Sequence, residues 1–136
     1  AINLNNRASL DEDRGALAEA ERDFRRSLAI RSRLQGADSE KALGARFNLG
    51  RALLRAGPTV DAAAVLGPAW ATWVRTMPAG HARTATYRML HAEQLIAQGD
   101  AAGAAREVDL LAAGADKLPA KRRAWLHELR ARLADR

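Results

Sequence analysis

Cysteine is absent from the 136 residues, and aromatic side chains make up only 4% of them. The first absence excludes a disulfide framework and cysteine-ligated zinc. The second means that any core must be assembled mainly from Ala and Leu. Strand-forming β-branched residues are also scarce, and Ala and Leu head the helix propensity scale, so the composition predicts an all-α fold. No apolar run approaches the roughly 18 residues of a membrane span, and no signal-peptide pattern opens the chain, which leaves a cytoplasmic protein that does not enter membranes as the expectation. The first residue is Ala rather than Met, as expected of a processed product or an excised piece of a larger protein.

Catalytic apparatus is missing too. There is no phosphate-cradling Gly-rich loop, no nucleophile elbow and no Ser/His/Asp constellation. His81 and His91 stand ten residues apart, not at the four-residue spacing of a helical metal pair. Asp11-Glu12-Asp13 lacks the alternating ligands and internal Gly of a calcium loop and reads as a solvated helix end. The sequence therefore predicts no enzyme, no cofactor and no metal. Trp70, Trp73 and Trp125 fall on apolar stripes and read as packing anchors rather than as a platform for bases.

What the chain does contain is a module that occurs three times: Gly15 to Ala20, Gly57 to Ala62 and Gly99 to Ala104, each 42 residues after the one before. A fixed period in this range marks a repeat array. Around it, apolar residues recur at spacings of three and four, predicting helices over 2–14, 16–35, 40–56, 59–76, 81–98, 101–115 and 120–134. Gly36-Ala37-Asp38-Ser39 is a turn in which Asp38 or Ser39 caps the next helix. Gly50, inside a helix at a cost of about 1 kcal/mol relative to Ala, marks close approach of a neighbour. Pro68 lies inside another and predicts a kink or break near Leu66. The last helix buries Trp125, Leu126, Leu129 and Leu133 and turns a basic face outward, as the closing element of an array must.

Net charge is +6, and 19 of the 22 basic residues are Arg. Residues 1–42 are balanced, whereas residues 43–84 hold five basic side chains against one acid, Asp61. That excess favours acidic partners: a peptide, a phosphate or nucleic acid. A GC-rich genome, which favours Arg over Lys and abundant Ala, accounts for the same pI without any partner.

A helix, a Gly, a short turn, an Ala and a second helix is the layout of the tetratricopeptide repeat. The residues that carry the likeness are Ala8, Gly15, Ala20, Phe24 and Leu28, then Gly50, Gly57, Ala62 and Leu66, then Ala92, Gly99, Ala104 and Val108. The 42-residue period, against the usual 34, resembles the kinesin-light-chain-like variant. So does the string Leu4-Asn-Asn6, Gly15, Ala18-Glu-Ala-Glu21, Arg25-Arg-Ser-Leu-Ala-Ile-Arg31 and Gly36-Ala-Asp38. The outer repeats depart from the pattern at Arg7, Asp11, Leu90 and His91.

The resemblance implies a right-handed superhelical array of antiparallel helix pairs: one domain with repeats over 1–38, 39–80 and 81–118 and a capping helix over 119–136, seven helices in all. It implies a protein-interaction scaffold, expected as a module of a larger bacterial regulatory or signalling protein, that holds a peptide or partner helix in its concave groove. Carried over position by position, the groove residues are Asn5, Asn6, Phe47, Asn48, Arg51, Arg55, Met89 and Glu93, with Arg83 at the entrance. Asn can satisfy both donors and acceptors of a peptide backbone, and Arg51 and Arg55, four apart on one helix face, suit a carboxylate or phosphate of an acidic partner. Two alternatives stand beside this reading. One is a nucleic-acid-associated domain using the basic second repeat and Lys121-Arg122-Arg123. The other is self-association through apolar surface left by the truncated first repeat, giving a homo-oligomer.

Overall fold

A computed structural model describes residues 17–56, 60–78 and 80–135, and every regular element among them is helical. There are six α-helices where seven are expected, because the expected helix over 2–14 lies outside the described residues, as do Gly15 and Gly57. The helices are α1 (Leu17–Gln35), α2 (Glu40–Ala56), α3 (Val60–Thr76), α4 (Thr84–Ala97), α5 (Ala101–Ala112) and α6 (Ala120–Ala134), with a 3₁₀ turn at Ala115–Lys117. The chain divides after Pro78 into two compact units, Ala1–Pro78 and Ala79–Arg136.

In the first unit α2 packs against both α1 and α3. Ala20 and Phe24 of α1 meet Leu49, Ala52 and Leu53 of α2 and Ala62 of α3, with Leu28, Leu54 and Val65 at the edge. Phe47 stands edge-on to Trp73, the ring centres 6.0 Å apart at 87°, an arrangement that sets the positive rim of one ring against the face of the other. Gly50 lies on the α3 side of α2, and the Leu66 side chain fills the space where a Cβ on residue 50 would stand. The helix-interior glycine is thus explained: it admits its neighbour.

The turn between α1 and α2 settles which residue caps. Gly36 adopts φ +94°, which a residue with a Cβ resists. The Ser39 hydroxyl accepts from the Ala42 N–H at 3.2 Å, freeing Asp38 to lie 3.7 Å from Arg46.

Pro68 does not break α3, which runs unbroken from Val60 to Thr76. Pro68 and Ala64, whose carbonyl loses its helical partner, both lie on the exposed side. The orphaned carbonyl there can bond to water, so the missing N–H costs far less than it would inside the core.

In the second unit Met89, Ala92 and Ile96 of α4, Ala104, Val108 and Leu111 of α5, and Leu126 and Leu129 of α6 form one core. The junction between α4 and α5 is only three residues long. Gly99, at φ +84°, sends its N–H to the Ile96 carbonyl, and the Asp100 N–H reaches the Leu95 carbonyl at 2.8 Å, which together satisfy the open end of α4. The Asp100 carboxylate then accepts from the Gly103 N–H at 2.8 Å and caps α5. This is the Gly-to-Ala module in atomic terms, and its Ala20, Ala62 and Ala104 are all buried.

Candidate functional site

Because α2 is covered on two flanks, what it leaves open is a narrow strip. Lys41, Gly44, Asn48, Arg51 and Arg55 follow one another at spacings of three, four, three and four, which keeps them on one helix face. Lys41 and Arg55 are exposed, while Gly44, Asn48 and Arg51 are half-buried between the flanks. The strip therefore offers an amide that both donates and accepts, set among three cations, with the Asn48 amide and the Arg51 guanidinium partly withdrawn from water. Partial burial lowers the local dielectric, so a carboxylate meeting Arg51 is held more strongly than one at a fully exposed arginine.

Of the nine residues expected at a groove, Asn48, Arg51 and Arg55 fall together on this strip. Asn5 and Asn6 lie outside the described residues. Phe47 is fully buried against Trp73, and Met89 is fully buried in the core of the second unit. Both residues support the exposed faces from beneath. Arg83 is the exposed N-cap residue of α4 and donates from Nη1 to the Tyr87 hydroxyl at 3.5 Å. Glu93 is half-buried, and its carboxylate accepts from the Trp125 indole N–H, so α6 already uses it.

Sequence reasoning missed Lys41, which lies on the same strip as Asn48. Continuing the three-and-four spacing backward from Asn48 finds it. The 42-residue period also aligns Arg51 with Glu93 and Asn48 with Leu90, so the polar, basic character of the strip belongs to α2 and not to α4.

Several half-buried polar groups of the second unit are engaged within it. Arg88 of α4 and Glu107 of α5 pair at 2.6 Å. His91 lies 3.1 Å from the Gln94 side chain, which donates onward to Gln98 at 2.8 Å. Burial holds the His91 imidazole below the ordinary histidine range, an effect that the Gln94 contact partly opposes. Among the described residues no three His, Cys, Asp or Glu side chains are grouped to hold a metal ion. No described helix is long and apolar enough to cross a membrane.

Antiparallel helix pairs joined by three- to four-residue turns, with an alanine at each contact and a period of 42 residues, define a helical-hairpin repeat protein. The family model for the tetratricopeptide repeat matches residues 1–66. No curated protein and no solved structure matches the chain. Tetratricopeptide repeats are in general protein–protein interaction modules and typically non-catalytic scaffolds.

Proposed function

We propose that this chain is a protein-binding scaffold that takes an extended, acidic peptide segment along the open strip of α2. The observation that carries this reading is the strip itself: Lys41, Asn48, Arg51 and Arg55 aligned on one face of a helix already packed on both sides. Asn48 engages the peptide backbone and the two arginines its carboxylates. The 42-residue period supports the kinesin-light-chain-like variant of the repeat, with repeats over 1–38, 39–80 and 81–118.

Titration of the full chain with a fluorescein-labelled, Glu-rich unstructured peptide tests this. Arg51→Ala and Arg55→Ala are each expected to weaken binding about tenfold, ~1.4 kcal/mol, with helix content unchanged. Equal affinity in the double variant would sink the reading.

A further inference from the structure

The outward face of α6 has a layout that the α2 strip does not share. Ala120, Ala124, His127, Ala131 and Ala134 follow at spacings of four, three, four and three, and all five are exposed. They form a low ridge along the helix. On one shoulder stand Arg123 and Arg130, one heptad apart, and on the other stand Lys121 and Arg132 with Glu128 between them. The single acid among these exposed positions is Glu128.

The cluster Lys121-Arg122-Arg123, contiguous in sequence, is divided by the fold. Arg122 turns inward and lies over the Trp125 ring at 5.7 Å. Arg123 spends one N–H on the Leu118 carbonyl at 2.9 Å and keeps its remaining donors outward. Lys121, Arg130 and Arg132 enter no hydrogen bond or ion pair with a described residue. The face thus carries four outward cations in two rows, not one contiguous patch.

We propose that this face binds the phosphate backbones of B-form DNA, with α6 lying in the major groove. An α-helix with its side chains is about 10–12 Å across, and the B-form major groove is about 12 Å wide and admits one. Cations on both shoulders of a helix so placed face the two phosphate rows that border the groove, and a ridge of alanines lets it sit deep. An extended acidic peptide offers one row of charge and matches only one shoulder. An anionic membrane needs apolar anchors, and the exposed large apolar residues Leu34, Val74 and Leu110 all lie on other helices. Only His127 on the ridge can reach a base edge, so binding is largely independent of sequence. The surface is separate from the α2 strip and does not rest on it.

Fluorescence anisotropy of the full chain with a short labelled DNA duplex tests the proposal. Four phosphate contacts give a slope of about −3 to −4 for log Kobs against log salt concentration. The variant Lys121→Gln/Arg123→Gln/Arg130→Gln/Arg132→Gln changes only exposed side chains and is expected to lose at least tenfold in affinity at low salt with its circular dichroism intact. Arg130→Gln alone flattens the slope by about one. Arg51→Gln/Arg55→Gln leaves DNA binding unchanged. An RNA duplex of the same sequence, whose major groove is too narrow to admit a helix, binds more weakly. Four results each overturn the proposal: no duplex binding at low salt, equal binding by the α6 variant, equal binding of RNA, or tighter binding to phosphatidylglycerol vesicles.

Discussion

The Trp125 indole N–H donates to the Glu93 carboxylate, joining α6 to α4 across 32 residues of sequence. Both groups are half-buried, so neither can exchange its partner freely for water. Trp125→Phe keeps most of the ring's packing and removes the donor, leaving a partly desolvated carboxylate. The expected loss is about 1–3 kcal/mol, and Glu93→Leu in the same chain recovers part of it, because removing both partners costs less than stranding one. Urea denaturation of the two single variants and the double variant measures the coupling.

Gly50→Ala tests the close approach of α2 and α3. Helix propensity alone favours Ala by about 1 kcal/mol. The new methyl group, however, meets Leu66, which is fully buried and cannot swing away. Overpacking of this kind costs roughly 1–3 kcal/mol, so a net destabilisation is expected. The second unit indicates the remedy: 42 residues on, Ala92 is accompanied by the smaller Val108. Gly50→Ala with Leu66→Val should therefore melt above Gly50→Ala alone. A single variant more stable than the parent chain would contradict the packing argument.

Pro68→Ala is expected to stabilise the first unit. Proline in a helix interior costs about 3 kcal/mol relative to Ala, and Pro68 is exposed, so the methyl group of Ala meets no neighbour. Part of that gain is offset because Pro also stiffens the unfolded chain, and a net increase of about 1–2 kcal/mol remains. A rise in thermal midpoint checks it.

His91 makes the second unit sensitive to mild acid. Its folded-state pKa lies below the ordinary value of 6.5, chiefly through burial, while Gln94, Glu107 and Asp100 pull it up and Arg88 pushes it down. The unfolded chain therefore takes up a proton before the folded chain does. The associated stability is fully present above the ordinary histidine range and is lost as pH falls through the folded value. His91→Leu, which installs the residue found at Leu49 one period earlier, should flatten the decline in urea midpoint between about pH 7.5 and pH 5.

Much of the helix plan was legible because its signals are local. Expected spans such as 40–56 and 120–134 coincide with α2 and α6, since their apolar stripes and flanking turn residues are adjacent in sequence. The use of Gly50 was legible too, and Leu66 already stood on the stripe that meets it. Pro68 brings no break, because the rule for prolines does not know whether the orphaned carbonyl faces core or water, and here Ala64 lies on the water side. The pairing of Trp125 with Glu93 was not readable, since it depends on how two distant helices cross. The candidate strip was half-legible: Asn48, Arg51 and Arg55 came from the resemblance to the repeat family, but the burial of Phe47 and Met89 is set by packing from neighbouring helices.

The tryptophans are divided along with the fold. Trp70 and Trp73 lie in the unit that ends at Pro78, and Trp125 lies in the one that follows. Intrinsic emission is consequently a spatially resolved reporter that needs no label. A chain carrying Trp70→Phe and Trp73→Phe glows only from the second unit, and one carrying Trp125→Phe only from the first. Heating the two side by side separates the melting of each half within a single polypeptide. It also reveals whether a titrated peptide or duplex steadies one half and not the other.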